Sequence, residues 1–310
     1  SVIHAGLFPH NIEATKLATP QDWLLFDDEA GWGTDAFEDN LPDDYEFPDR
    51  WSAIDDRYDA RAILNDQHEK LGWAREKRLE VLRNGYGLSD ISVSKQSDDS
   101  LHFKLTVRNM MDGHSVPTGF DAERLVWLNV VVKDAEGTIL MQSGDLDPNG
   151  DVRDSHSAYV HNGDLPLDSQ LFSMQSKFIT RNVRGGEREQ VLTVNYSVDA
   201  LPFIRPSTQS TILTGQPAAA RKHRYVLSPG GERVAKYRSD LNGKGPYSIT
   251  AQLRIAMVPV NLIAEIQHVG FDYGMSTREV ADRVVAGHEV LWERQMQIGG
   301  TTVAQAASNQ

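Results

Sequence analysis

The sequence contains no cysteine among its 310 residues. This absence excludes disulfides, zinc held by thiolates, iron–sulfur clusters and haem attached covalently to this chain. The sequence also lacks the run of about 18 apolar residues that a transmembrane helix needs. Its first residues, Ser-Val-Ile-His-Ala-Gly, do not have the charged and apolar character of a leader peptide. We therefore expect a chain without a transmembrane segment that is either cytosolic or has had a leader removed.

Positive charge is scarce. The chain carries 31 Lys and Arg against 44 Asp and Glu, a formal net charge of −13. Residues 27–59 hold thirteen acidic residues and two basic ones, Arg50 and Arg57, a net charge of −11 for this stretch. Because nucleic-acid affinity comes largely from Lys and Arg on phosphates, an acidic chain without a basic stripe excludes a nucleic-acid partner.

The first 57 residues are predicted to form an extended arm. Four prolines interrupt regular structure, yet the segment has too many large apolar residues for a disordered tail. They include Trp23, Leu24, Leu25, Phe26, Trp32, Phe37, Tyr45, Phe47 and Trp51. Such an arm needs a surface to lie on. Wrapping its own domain is the favoured interpretation, and docking on a partner is the alternative.

Two helices have clear sequence signals. Apolar residues recur at helical spacing over residues 58–83, and Asn84-Gly85 supplies a stop. Ser276-Thr277-Arg278-Glu279 is a capping box, which predicts a helix over residues 277–295.

Between these helices the apolar pattern has the period of two that is typical of strands. Turn residues separate nine candidates. These are residues 91–95, 101–109, 125–133, 138–142, 171–182, 190–198, 221–227, 232–238 and 247–258.

The predicted fold is mainly β: an antiparallel, immunoglobulin-like β-sandwich with an N-terminal extended arm and helix, and with C-terminal helices. Trp127 is expected inside this sandwich, on the strand face of Leu125 and Val131. The predicted organisation is an acidic and aromatic arm (1–57), a helix packing on the sandwich (58–87), the sandwich (88–260) and a C-terminal helical segment with a tail (261–310).

The most distinctive stretch is residues 113–127, a polar turn that leads into a strongly apolar strand. We call residues 113–119, Gly-His-Ser-Val-Pro-Thr-Gly, the Gly-His turn. Pro117 fixes one φ angle and favours extended geometry at Val116, while Gly113 and Gly119 permit unusual backbone conformations. We therefore expect the turn to hold His114 rigidly.

Gly-His-x-x-Pro-Thr-Gly, followed by an Arg and a Trp-bearing strand, resembles the motif that opens the haem-free C-terminal β-domain of many bacterial multihaem c-type cytochromes. Residues 134–150, 245–260 and 269–292 are similar to later parts of that domain. One departure matters: the family attaches haem through Cys-x-x-Cys-His, and this chain has no cysteine.

The resemblance implies a haem-free subunit or domain of a multihaem cytochrome c electron-transfer assembly. In that assembly the chain would shape and insulate haems carried by a partner chain or an upstream haem domain. The resemblance also implies a periplasmic or extracellular location, with the leader removed.

With covalent haem excluded, a histidine can still contact haem c or a metal from outside. The candidate haem contacts lie in loops or at element ends: His114, His4, His10, His156 and His161. For each, a turn histidine bonded to nearby backbone is the competing interpretation. Four other histidines are interpreted as ordinary surface residues of helices or strands: His68, His102, His223 and His288.

Residues 145–151 resemble the first half of a calcium loop, in which residues with side-chain oxygens occupy alternate positions. These residues are Asp145, Asp147, Asn149 and Asp151. The twelfth position of the loop is His156 instead of the bidentate Glu, so an EF-hand is not predicted. A tight acidic hairpin turn is the favoured alternative to Ca²⁺ binding.

No catalytic residue is assigned. The sequence lacks the complete spacing of a nucleophile elbow, a zincin or a P-loop. Besides the cytochrome role, two function classes stay open: a secreted β-sandwich binding module for calcium or carbohydrate, and a hydrolase with an unrecognised site.

Overall fold

A computed structural model describes residues 12–97, 99–118, 124–154, 157–180, 190–191, 220–223, 225–256, 260 and 274–299. The chain divides into two compact units, Ser1–Val81 (unit 1) and Leu82–Gln310 (unit 2). Each is described by itself.

Unit 1 is helical where the sequence predicts an extended arm. Its elements are α1 (Ile12–Leu17), α2 (Pro20–Leu24), α3 (Asp35–Glu38), a 3₁₀ turn (Asp49–Trp51) and α4 (Ile54–Gly85), which runs past the unit boundary. Thr19 and Asp22 form a capping box with Pro20 at the first position of α2, and Thr34 caps α3. Pro20, one of the prolines that argue against regular structure in the sequence, thus begins a short helix here, and the two threonines cap short helices.

The aromatic residues of unit 1 form its own core. Trp23, Phe26, Trp32 and Trp51 are buried together with Ala60 and Leu64 of α4. Their rings meet at angles far from parallel, with 5.3 Å between the ring centroids of Trp23 and Trp51. Most of the apolar residues that needed a surface therefore cover one another and the first half of α4, while Leu24, Leu25 and Tyr45 are exposed.

Unit 2 holds eleven strands in its described residues. They are β1 (Tyr86–Leu88), β2 (Ser92–Gln96), β3 (Ser100–Asn109), β4 (Leu125–Lys133), β5 (Ile139–Ser143), β6 (Lys177–Thr180), β7 (Gln190–Val191), β8 (Ala220–His223), β9 (Glu232–Asp240), β10 (Tyr247–Ala256) and β11 (Glu289–Ile298). Two helices accompany them, α5 (Ala158–Asn162) and α6 (Thr277–Ala286).

The strands form two four-stranded antiparallel sheets and a small third one. In the first sheet β3 pairs with β1 and β2 on one side and with β9 on the other; the second has the order β11-β10-β4-β5, and the third β7-β6-β8. The edge strand β11 meets β1, because the Trp292 Nε1–H donates to the Tyr86 carbonyl oxygen at 2.6 Å. Two antiparallel sheets agree with the predicted sandwich; the immunoglobulin-like topology stays a prediction.

Both faces of β4 are buried over its first four residues, and the Trp127 face becomes partly exposed from Asn129 onward. Val126, Leu128, Val130 and Val132 occupy one face and are fully buried. Trp127 lies on the other face, where it clusters with Leu125, Val152 and Ala256. That face is covered by the described residues 144–154 and 157–171, which follow β5 and precede the Trp127–Ser173 bridge to β4. We call residues 144–154 and 157–171 the excursion. Trp127 is buried as predicted, but beneath the excursion.

The C-terminal helix prediction is wrong over its second half. Helix α6 ends at Ala286, and β11 follows where the sequence predicts helix to residue 295. These residues form a strand because they pair in antiparallel register with β10 over residues 247–255. Residues 261–273 and 300–310 lie outside the described residues.

Candidate functional site

The Gly-His turn is anchored through Asn109, the last residue of β3. The fully buried Asn109 side chain donates from Nδ2 to the carbonyl oxygens of His114 at 2.7 Å, Leu227 at 3.1 Å and Ser228 at 3.0 Å. Its Oδ1 accepts from the Met111 N–H at 2.9 Å. One amide thus ties the turn to the segment before β9.

A backbone bridge fixes the other end of the turn. Val116 and Leu227 exchange two N–H···O bonds of 2.9 and 2.8 Å. Both side chains are buried, while His114 is exposed. The turn therefore presents an imidazole on a fixed backbone, as the sequence predicts, although the anchor is Asn109.

Glycine contributes less to this rigidity than predicted. A Cβ at Gly113 would meet nothing within 4 Å, and Gly113 does not have a positive φ. Gly119 lies outside the described residues. The turn is held by hydrogen bonds, and its described glycine is not sterically required.

Of the other predicted haem contacts, the structure describes one. His161 is exposed in the last turn of α5, within the excursion and on a different element from His114. His4, His10 and His156 lie outside the described residues, so those three assignments stay predictions.

The acidic loop is organised around the buried Asp147. Its carboxylate accepts from the N–H groups of Asn149 at 2.8 Å and Asp151 at 3.0 Å, and from the Ser157 hydroxyl at 2.6 Å. These bonds close a turn in which Gly150 has a φ of +86°. This is the geometry of the tight acidic turn that the sequence analysis favours over calcium.

Asp145 is also engaged, in a bidentate pair with Arg153 at 2.8 and 2.7 Å. Over the described parts of the chain, no three His, Cys, Asp or Glu side chains come together to hold a metal ion. Ca²⁺ binding by Asp145, Asp147, Asn149 and Asp151 stays a prediction. An open cleft of about 500 Å³ lies beside the loop, lined by both charged and apolar residues: Asp145, Leu146, Asp147, Pro148, Arg153, Leu165 and Arg278.

A second polar group, which the sequence analysis missed, lies beneath the excursion. The His288 ring meets the Trp127 ring edge-on, with 5.3 Å between centroids and an 80° interplanar angle. The Arg254 guanidinium carbon lies 5.7 Å from the Trp127 ring centroid. Within the part of the chain that is described, the buried His288 Nδ1 and Arg254 Nε have no hydrogen-bond partner.

The surroundings of His288 keep its imidazole neutral. Burial, and then the charge of Arg254, lower the pKa of His288 to about 4. A cavity of about 20 Å³ adjoins the ring, lined also by Asp151, Asp154 and Gln175. That volume admits about one water molecule. The half-buried neutral imidazole can orient a water in this cavity, but the cavity is too small for a substrate.

No sequence signal pointed to His288, which the sequence analysis interprets as a surface residue. It follows Gly287 at the end of α6, where a surface position is the usual expectation. Its partial burial comes from residues distant in sequence, because Gly150 and Val152 of the excursion line the same cavity. By contrast, Asn109 could have been recognised from the sequence as the anchor of the Gly-His turn, because it ends a predicted strand directly before a polar turn.

In the portion that is described, no helix is both long enough and apolar enough to cross a membrane. Neither a protein-family model nor a curated protein matches the chain. Among solved structures, the chain is similar to a penta-heme cytochrome c552 from Thermochromatium tepidum, with 14% identity and a TM-score of 0.41. The match covers 71% of this chain and 41% of that one, so this chain spans less than half of its length. A likeness at this level carries no functional argument.

Proposed function

We propose that this chain is a haem-free subunit or domain of a multihaem c-type cytochrome electron-transfer assembly, in which it shapes and insulates haems carried by a partner chain or an upstream haem domain. Because the chain has no cysteine, every covalently attached haem belongs to that partner. The proposal includes two sheets packed as a sandwich and a periplasmic or extracellular location.

One observation carries the proposal: His114 is exposed on a turn whose backbone is held by Asn109 and Leu227. A backbone fixed in advance reduces the conformational entropy lost when the side chain binds. A neutral imidazole can ligate haem iron, and its N–H can instead donate to a haem propionate. The turn thus supplies a histidine suited to a haem brought against this surface.

The test is the absorbance spectrum of the chain purified together with its partner. We expect a Soret band to co-purify. If His114 is an axial ligand, His114→Ala converts a six-coordinate low-spin haem into a high-spin or differently ligated one. If His114 contacts a propionate, the variant shifts the reduction potential and leaves the spin state unchanged.

The matched control is His102→Ala, which removes a histidine from β3 away from the turn. It should leave spectrum and potential unchanged. A chain that brings down no haem protein overturns the proposal. Spectra and potentials that His114→Ala leaves unaltered would remove the role of His114.

The second candidate is a secreted β-sandwich module that binds calcium or carbohydrate. The cleft beside Asp145 and Asp147 is the observation that favours it. Calorimetric titration with Ca²⁺ or with oligosaccharides tests it. Binding of Ca²⁺ that Asp151→Asn weakens would support this candidate, and titrations without heat would remove it.

A further inference from the structure

The methionines of this chain, seven in number, differ widely in exposure. Met110 is 57% exposed and Met111 is 37% exposed, whereas Met141 and Met174 are buried in unit 2, at 8% and 0%. Two of the remaining three are partly buried and the third lies outside the described residues; in that order they are Met275, Met296 and Met257. The two exposed methionines are neighbours in sequence, directly after β3. We call Met110 and Met111 the methionine pair.

The backbone of the methionine pair is fixed by hydrogen bonds to neighbouring segments. The Met110 N–H donates to the Gly85 carbonyl oxygen at 3.0 Å, and the Met111 carbonyl oxygen accepts from the Gly230 N–H at 3.0 Å. The Met110 sulfur lies against β1, where a Cβ at Gly87 would be only 2.9 Å from it. The two thioethers are therefore exposed on an ordered backbone.

The methionine pair and His114 share the same anchor. The Asn109 Oδ1 accepts from the Met111 N–H at 2.9 Å, and the Nδ2 of the same carboxamide donates to the His114 carbonyl oxygen at 2.7 Å. One amide thus holds the backbone of Met111 and the backbone of His114 close together. The exposed imidazole and both exposed thioethers lie within residues 110–114. A chemical change at the thioethers therefore changes the surface next to the imidazole.

An exposed thioether can accept an oxygen atom from a hydroperoxide. The sulfur lone pair attacks one peroxide oxygen, the O–O bond breaks as the S–O bond forms, and hydrogen peroxide leaves its second oxygen as water. The sulfur is oxidised and the peroxide is reduced by the same two electrons. Because the chain has no cysteine, no thiolate of its own competes for the oxidant.

We propose that the methionine pair is an oxidation site, at which a hydroperoxide converts both thioethers to sulfoxides and changes the surface beside His114 from apolar to polar. The fold stays intact, because sulfoxides at these exposed positions remain in contact with water. At Met141 or Met174 the same oxygen would place a polar group in a core. The inference is independent of the proposed cytochrome role, since it needs only this chain and the oxidant.

Peptide mapping by mass spectrometry tests the site on the full chain, treated with limiting hydrogen peroxide and sampled over time. We expect each residue of the methionine pair to take up one oxygen atom about ten times faster than Met141 and Met174, because oxidation follows exposure. Circular dichroism should stay unchanged during this uptake. Methionine sulfoxide reductases should remove the added oxygen again.

Two matched double variants show which thioethers respond. Met110→Leu/Met111→Leu should lose the rapid oxygen uptake, and Met275→Leu/Met296→Leu, at partly buried positions, should keep it. The NMR resonance of the His114 imidazole is assigned as the one absent from His114→Gln. It should shift when the wild type is oxidised and stay in place when Met110→Leu/Met111→Leu is treated in the same way.

Three results overturn the proposal. The first is an equal rate of oxidation at the methionine pair and at the core methionines. The second is a loss of circular dichroism that accompanies oxygen uptake at the pair. The third is a His114 resonance that oxidation of the pair does not move.

Discussion

Trp127 is the largest side chain of the apolar cluster that it forms with Leu125, Val152 and Ala256 in unit 2. Its side chain is fully buried, and its Nε1–H donates to the Gly144 carbonyl oxygen at 2.9 Å. Because truncating a buried ring leaves a cavity, we expect Trp127→Ala to lower the free energy of unfolding by about 3–5 kcal/mol. Denaturant titration measures this loss.

Trp127→Phe is the matched control. It keeps most of the ring and loses the indole hydrogen bond, but the Gly144 oxygen still accepts from the Asn129 side chain at 3.0 Å. The Phe variant should therefore lose much less stability than the Ala variant. A loss below about 1 kcal/mol for Trp127→Ala would contradict the burial of this ring.

His288 should make stability depend on pH. Its pKa is lowered from 6.5 to about 4 in the folded chain, first by burial and then by Arg254. The unfolded chain therefore binds this proton at higher pH than the folded chain does. The contribution of the neutral imidazole is fully present above about pH 6.5 and is lost as the pH falls toward 4.

The measurement is the thermal midpoint of wild type and His288→Gln across that window. The wild type should lose more stability than the variant between pH 6.5 and 4, the range set by the two pKa values of His288. His114→Gln, at an exposed histidine, should follow the wild type. If the thermal midpoints of all three proteins fall in parallel with pH, protonation of His288 does not change the stability of the fold.

Among the elements, the excursion depends on a sharp departure from the sheet at Gly144. Gly144 has a φ of +74°, and a Cβ there would lie 2.0 Å from the Leu128 carbonyl oxygen. Asp168 fixes this point by accepting from the Gly144 N–H at 2.7 Å and the Ser143 hydroxyl at 2.8 Å. Gly144→Ala should therefore destabilise the protein through both backbone strain and a clash with β4.

Gly163 provides the control for this prediction. It has a φ of +84° but nothing within 4 Å of a Cβ, so Gly163→Ala carries only the conformational cost of about 1–2 kcal/mol. Gly144→Ala should cost at least twice as much in denaturant titration. Equal losses would show that the close approach to Leu128 is relieved by movement of the excursion.

On the scale of the whole molecule, two cores should unfold as two cooperative units. Unit 1 is built on the aromatic cluster and on the Arg57–Glu38 pair, whose side chains are 3% and 2% exposed. Arg57 also donates to the carbonyl oxygens of Trp51 at 2.7 Å and Ser52 at 3.0 Å. Arg57→Met would leave Glu38 buried without its partner, which costs about 3–5 kcal/mol.

Scanning calorimetry separates the two units. We expect Arg57→Met to lower the transition of unit 1, and Trp127→Ala to lower that of unit 2, each leaving the other in place. Lys70→Met, which removes one partner of an exposed pair, is the control and should change neither transition. A single transition that both substitutions shift together would contradict two independent units.

The sequence by itself determined what depends on near neighbours along the chain. Zero cysteines excluded covalent haem, the apolar run at β4 predicted a strand, and Asn84-Gly85 predicted the end of α4. The Gly-His turn was also recognisable, because a polar segment between two strands has few alternatives. The secondary-structure propensity of neighbouring residues and the period of the apolar pattern are sufficient to predict these features.

Tertiary structure alone decided the features that join residues distant in sequence. Residues 289–298 have enough helical propensity to extend α6, yet the open edge of β10 makes them a strand. His288 looks like a surface residue until the excursion partly covers it, and the aromatics of residues 23–51 look like an arm until they pack on one another. The physical reason is common to all three: burial and strand pairing are set by the partner surface, which the local pattern does not contain.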